Sequence, residues 1–189
     1  MNLAEQNSIF NDLELISLLS EDIDPWLTTP LKGYVYKNNK VKGKYGELFA
    51  KKIMMKYNHT VSSAPTATAG YDLNISNGIK TEIKFSVANR NSKNKALVSN
   101  DVFTFNHLST DKDWDRVILI GLNLNDGQCA DSVAWFTKPD FIASTLPNNY
   151  FKRQQGGKNG MNNDWMFSTN PIKWQKFLKE SWVHPITSW

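Results

Sequence analysis

Residues 79–87 read Ile-Lys-Thr-Glu-Ile-Lys-Phe-Ser-Val, with an apolar residue or threonine at each odd position and a polar or charged residue at each even one. An extended strand sorts such a run into a covered face and a polar face, because its side chains alternate with a period of two. Residues 71–75, Tyr-Asp-Leu-Asn-Ile, alternate in the same way, and Ser76-Asn77-Gly78 between the two runs reads as a hairpin turn. A two-residue Asn-Gly loop would pair Leu73 with Glu82 and set an apolar side chain on the charged face. A three-residue loop with Gly78 in the left-handed conformation instead pairs Ile75 with Ile79 and Asp72 with Glu82, and this is the register expected. It brings the Asp72 and Glu82 Cβ atoms to roughly 4.5–5.5 Å, with Lys84 as a diagonal neighbour. Two carboxylates so close repel each other unless a cation lies between them, and a hard divalent ion with oxygen ligands suits the place.

The surrounding segments predict an α/β fold in which a central mixed sheet is flanked by helices on both faces. Residues 117–122 (VILIGL) and 133–136 (VAWF) are further apolar strands, and residues 61–68 are expected to be extended and to supply the first strand. Ile9, Leu13, Ile16 and Leu19 recur at helical spacing over residues 9–20, ending at the acidic run before Pro25. A second helix runs to about Tyr57 with Tyr45, Leu48, Phe49 and Ile53 on one stripe and Glu47 turned toward the sheet, preceded by a basic patch over residues 37–44. Residues 101–108, carrying Phe103, Phe105 and His107, are expected to form another helix. Asn170-Pro171 opens a C-terminal helix as an N-cap followed by proline at the first helical position. The chain is read as one unit over residues 1–189: an N-terminal helical segment (1–40), a core (41–137), and a loop with a C-terminal helix (138–189).

The order of these residues resembles a known family. Asp72, followed after nine intervening residues by Glu82-Ile83-Lys84, looks like the catalytic hairpin of the PD-(D/E)XK nucleases, and Glu47 on the preceding helix looks like the additional acidic residue many members carry. Tyr71 stands where the name-giving proline would be. The resemblance covers roughly residues 41–137 and implies a restriction-endonuclease-like core. It implies Glu47, Asp72, Glu82 and Lys84 as catalytic residues, and Mg²⁺, with Mn²⁺ as a substitute, as the cofactor. In this scheme Asp72, Glu82 and the carbonyl of Ile83 hold the ion, Glu47 holds a coordinated water or a second metal position, and Lys84 orients the attacking water. The implied reaction is hydrolysis of a DNA phosphodiester leaving a 5′-phosphate. Taken without that context, the same strand also fits a solvated edge with cross-strand ion pairs, and Glu47 between Lys44 and Lys51 also fits a surface ion-pair partner.

Composition is compatible with this and excludes several other chemistries. The 189 residues carry a formal charge of +4 and are 40% hydrophobic, enough to bury a core and mildly favourable to a polyanionic partner. The single cysteine, Cys129, allows no disulfide framework, and no apolar run approaches the ~18 residues of a membrane span, so a cytoplasmic protein is expected. His59, His107 and His184 are too scattered for a zinc site; neither a Gly-x-Ser-x-Gly elbow nor a phosphate loop ending in Gly-Lys-Ser/Thr is present, and no nucleotide cofactor is expected. Two basic, amide-rich segments are candidate DNA contacts: one with Arg90, Lys93 and Lys95, the other with Lys152, Arg153, Gln154, Lys158 and Asn159. The leading expectation is a sequence-specific, type II restriction-like enzyme that cuts double-stranded DNA as a homodimer. A structure-selective, repair or phage-type nuclease of the same fold, and a DNA-binding module without catalysis, are the alternatives.

Overall fold

The computed structural model describes residues 3–16, 29–90, 101–122, 133–145, 150–154 and 163–189. Its centre is a six-stranded sheet in the order β1-β2-β3-β6-β7-β10, formed by Val61–Ser63 (β1), Leu73–Ile75 (β2), Ile79–Val87 (β3), Arg116–Leu122 (β6), Val133–Thr137 (β7) and His184–Pro185 (β10). The β3–β6 pair is parallel and the other pairs are antiparallel, so the sheet is mixed, as expected. The hairpin has the expected register: Ile75 pairs with Ile79, Asn74 with Lys80 and Leu73 with Thr81. Gly78 takes a φ of 89°, and Ser76 and Asn77 also have positive φ, which gives the three-residue turn its left-handed path.

One face of this sheet is covered by helices. The helix Asn39–Lys56 (α3) starts at Asn38, whose Oδ1 accepts from Val41 N at 3.0 Å, and ends at Asn58 in the left-handed region. Its first turns absorb much of the basic patch that the sequence places ahead of the helix. Tyr45, Phe49 and Ile53, four residues apart, are buried against Ile83, Phe85 and Val87 of β3, each adding roughly 1.5–3 kcal/mol of burial. Gly46 is required by the contact: a Cβ built there would stand 2.4 Å from Phe85 Cβ. Of the continuous helix expected over residues 9–20, residues 17–20 lie outside the described residues, and the described part differs from it. The N-terminal segment is divided into Leu3–Phe10 (α1) and Leu13–Ile16 (α2), with Ile9 and Leu15 buried and Leu13 80% exposed. The break lets Ile9, Phe10 and Leu15 all reach the core around α3.

The other face departs from the expected helical cover. It carries a four-stranded sheet in the order β4-β5-β9-β8, formed by Asn89–Arg90 (β4), Asp101–Ser109 (β5), Phe151–Arg153 (β8) and Asp164–Thr169 (β9). Residues 101–108 are therefore a strand and not the expected helix: Phe103 and Phe105 are buried two residues apart while Thr104 is exposed. The period breaks at a bulge between Phe105 and Leu108, where His107 has a φ of 56°. Helices Lys138–Thr145 (α4) and Pro171–Phe177 (α5) complete this layer. The N-cap of α5 is as expected, with Asn170 Oδ1 accepting from Lys173 N at 2.8 Å. Its Trp174 and Phe177 pack with Phe167 of β9 in an aromatic core shared with Phe136 of β7. No helix among the described residues is long and apolar enough to cross a membrane.

Candidate active site

The site lies where β2 and β3 part. The main-chain ladder between them ends at Leu73–Thr81, and at the next step the Asp72 side chain takes over. Its Oδ2 accepts from Ile83 N at 2.7 Å, while Asp72 N donates to Thr81 O at 3.0 Å. The N–H and C=O of one strand residue project toward the same edge, so the Ile83 carbonyl also faces the β2 side.

Glu82 points to the opposite face of β3 from Ile83, toward the second sheet, and is 2% exposed. Its Oε1 accepts from Lys84 Nζ at 2.6 Å and from Lys112 Nζ at 2.9 Å. Its Oε2 is buried without a hydrogen-bond partner. Two residues beyond Lys84, Ser86 Oγ accepts from Thr104 N at 2.9 Å, which ties β3 to β5 at the back of the site.

Asp72 registers its neighbours electrostatically. Its pKa is raised from 3.8 to about 6, first by burial and then by the Glu82 carboxylate; the Ile83 N–H opposes the shift, Glu47 adds to it and Lys84 subtracts. Asp72, bonded to the Ile83 N–H, and Glu82, bonded to Lys84, thus occupy the same stretch of the hairpin. Glu47 stands on the flank: its side chain is 28% exposed and its Oε2 is paired with Lys44 Nζ at 3.0 Å, one helical turn away.

Among the described residues no three His, Cys, Asp or Glu side chains form a ready-made metal cage. The donor set present nevertheless fits a magnesium ion, which is commonly held by only one or two carboxylates and keeps several waters. The buried Glu82 Oε2 has an open acceptor, and the Asp72 carboxylate is disfavoured in its charged form until a cation joins it.

Lys112 is the member of the cluster that the sequence does not reveal. It sits in the turn between β5 and β6, where its carbonyl accepts from Lys138 Nζ at 2.6 Å and from Trp114 N at 3.2 Å. A lone lysine in the polar run Thr110-Asp111-Lys112-Asp113 carries no spacing signal, because its partner is brought in by the parallel pairing of β3 with β6.

Three of the candidate DNA contacts approach the same end of the molecule. Lys152 and Arg153 are exposed on β8, with the Arg153 guanidinium 5.3 Å from the Trp165 ring centroid, and Gln154 Oε1 accepts from His107 N at 3.0 Å. From Gln154 the connection runs through Asp164, whose carbonyl accepts from Gln154 N at 2.9 Å, to Asn163, whose Nδ2 donates to Asp111 Oδ1 at 2.8 Å beside Lys112. Arg90 ends β4 opposite Asp101. Lys93, Lys95, Lys158 and Asn159 lie outside the described residues.

No protein-family model matches this chain, and no curated protein matches it.

Proposed function

We propose that the protein is a Mg²⁺-dependent endodeoxyribonuclease with a PD-(D/E)XK-type site. The observation that carries the reading is the pairing, on a parting hairpin, of a buried Glu82 that keeps one open carboxylate oxygen with an Asp72 whose proton affinity is raised first by burial and then by the Glu82 carboxylate. Asp72, Glu82 and the Ile83 carbonyl would hold the magnesium, and Glu47 would reach it through water. When bound, the ion would supply Lewis-acid polarisation of the scissile phosphate and a more acidic water.

The chain's own groups do the rest. Lys84, 14% exposed and fixed on Glu82, presents an ammonium that orients the attacking water and offsets charge developing on the phosphate. The Ile83 N–H holds Asp72 in one orientation, so the acceptor not used by that hydrogen bond stays available. Lys152, Arg153 and Gln154 would contact the DNA on the β8 side. A type II restriction-like enzyme acting as a homodimer, with one site for each strand, is the substrate reading we favour.

One observation favours a second reading. Two ammonium groups already neutralise Glu82 Oε1, as they would in a purely structural ion-pair cluster of a DNA-binding module. Incubating the purified protein with supercoiled plasmid and Mg²⁺, against an EDTA control, separates the two. Discrete fragments with 5′-phosphate ends support the restriction reading, and smearing or junction-only cutting supports a structure-selective nuclease. Binding without cleavage in Mg²⁺ and Mn²⁺ would leave the module.

A further inference from the structure

We infer that Lys112 is a phosphate-responsive latch on Glu82: it blocks cation entry in the free protein and moves to a DNA phosphate when substrate arrives, so that polyanion and divalent cation bind cooperatively. The inference rests on the nuclease reading above and extends it to a residue the resemblance does not include.

The two lysines on Glu82 Oε1 are not equivalent. Lys84 lies on the same strand as Glu82, two residues on, and is 14% exposed. Lys112 arrives from a separate turn, and its side chain is 41% exposed although its Nζ sits 2.9 Å from a carboxylate that is 2% exposed. Of the pair it is therefore the ammonium that an incoming polyanion meets first. Its main chain is held by Lys138 and Trp114, so the exchange needs only side-chain rotation and no movement of the turn.

The charge balance makes the exchange consequential. With both lysines in place the two ammonium groups offset the Glu82 charge and that of the neighbouring Asp72 carboxylate, which leaves the site little attraction for a divalent cation. A phosphate oxygen is a strong alternative acceptor for an ammonium. Once Lys112 turns to it, Glu82 keeps one lysine and regains its attraction for a cation. By linkage, whatever DNA does for cation affinity the cation does for DNA affinity. The same exchange gives access: a buried Glu82 is uncovered by the substrate's own charge.

The test is calorimetric titration of Ca²⁺, an oxygen-seeking cation, into the intact protein with and without a short random-sequence DNA duplex, for the natural chain, Lys112→Met and Lys112→Arg. The natural chain should bind Ca²⁺ several-fold more tightly when the duplex is present. Lys112→Met should bind it roughly threefold to tenfold more tightly than the natural chain without DNA, and lose most of the DNA-induced enhancement. Lys112→Arg should keep that enhancement. Unchanged Ca²⁺ affinity and unchanged coupling in Lys112→Met would reduce Lys112 to a surface ion pair, and weaker Ca²⁺ binding in that variant would make it a support of the site; either overturns the latch while leaving the nuclease reading intact. Ca²⁺ binding that is absent in the natural chain even with the duplex present, or unaffected by Asp72→Ala and Glu82→Gln, would overturn both.

Discussion

The Asp72 carboxylate accepts a 2.7 Å hydrogen bond from the main-chain N–H of Ile83 and so takes the place of a strand carbonyl at the point where β2 leaves β3. This contact lies one step past the last ladder pair, Leu73–Thr81, and fixes an acid at that edge of β3. It also sets the conditions under which that acid is charged.

The folded-state pKa of Asp72, about 6, lies above its ordinary 3.8, so the protonated form is the one the fold favours. Its stabilising contribution is complete below about pH 4 and is lost as pH rises through about 6. In cation-free buffer Asp72→Asn should therefore be more stable than the natural chain at pH 7 by up to about 3 kcal/mol, with the advantage vanishing near pH 4. Urea melts across that range measure it. Equal stabilities at pH 7 would mean that burial does not strain this carboxylate. Magnesium should stabilise the natural chain at pH 7 and leave Asp72→Asn nearly unmoved.

If Lys84 orients the attacking water as proposed, Lys84→Met should abolish DNA cleavage in both Mg²⁺ and Mn²⁺, because the ammonium is gone while the aliphatic stem still fills its place. Circular dichroism should be unchanged, since Lys112 continues to neutralise Glu82. Retained cleavage would reject the role assigned to Lys84.

Gly46→Ala tests the packing that sets Glu47 beside the site. Alanine favours a helix over glycine by about 1 kcal/mol, yet its Cβ would fall 2.4 Å from Phe85 Cβ, a backbone-proximal atom that cannot rotate away. The overpacking should win, lowering stability by about 1–3 kcal/mol in thermal or denaturant melts. A stabilised variant would show that α3 can lift off β3 without cost.

Lys152→Ala combined with Arg153→Ala should weaken duplex binding uniformly across sequences and reduce the slope of log affinity against log salt by about 2, one for each phosphate no longer neutralised. Fluorescence anisotropy at several salt concentrations reads both quantities. An unchanged slope would place the DNA elsewhere than on the β8 side.

What the sequence discloses follows from how local each signal is. The β3 alternation, the Ser76-Asn77-Gly78 turn, the α3 stripe and the Asn170-Pro171 cap each lie within a few neighbouring residues, and the structure has them as expected. Strand β5 is less readable because the bulge at His107 shifts Leu108 out of phase with Phe103 and Phe105, blurring a period of two. The Phe103-Thr104-Phe105 triplet is the usable clue. The second sheet as a layer escapes a sequence reading because β8 and β9 are short and β8 offers only Phe151 as a buried side chain. Glu82, Asp72 and Lys84 share one hairpin and are visible together; Lys112 joins Glu82 across thirty positions of chain, where no periodicity reaches.

The parallel alignment of β3 with β6 has a kinetic corollary. Residues 88–115 must first loop out and return before Arg116 can settle beside Thr81, a closure that local hairpin formation does not require. The β2–β3 ribbon can zip up early, whereas the second ammonium reaches Glu82 only when that long excursion has docked, so a nascent chain holds its paired acids before it holds their guard.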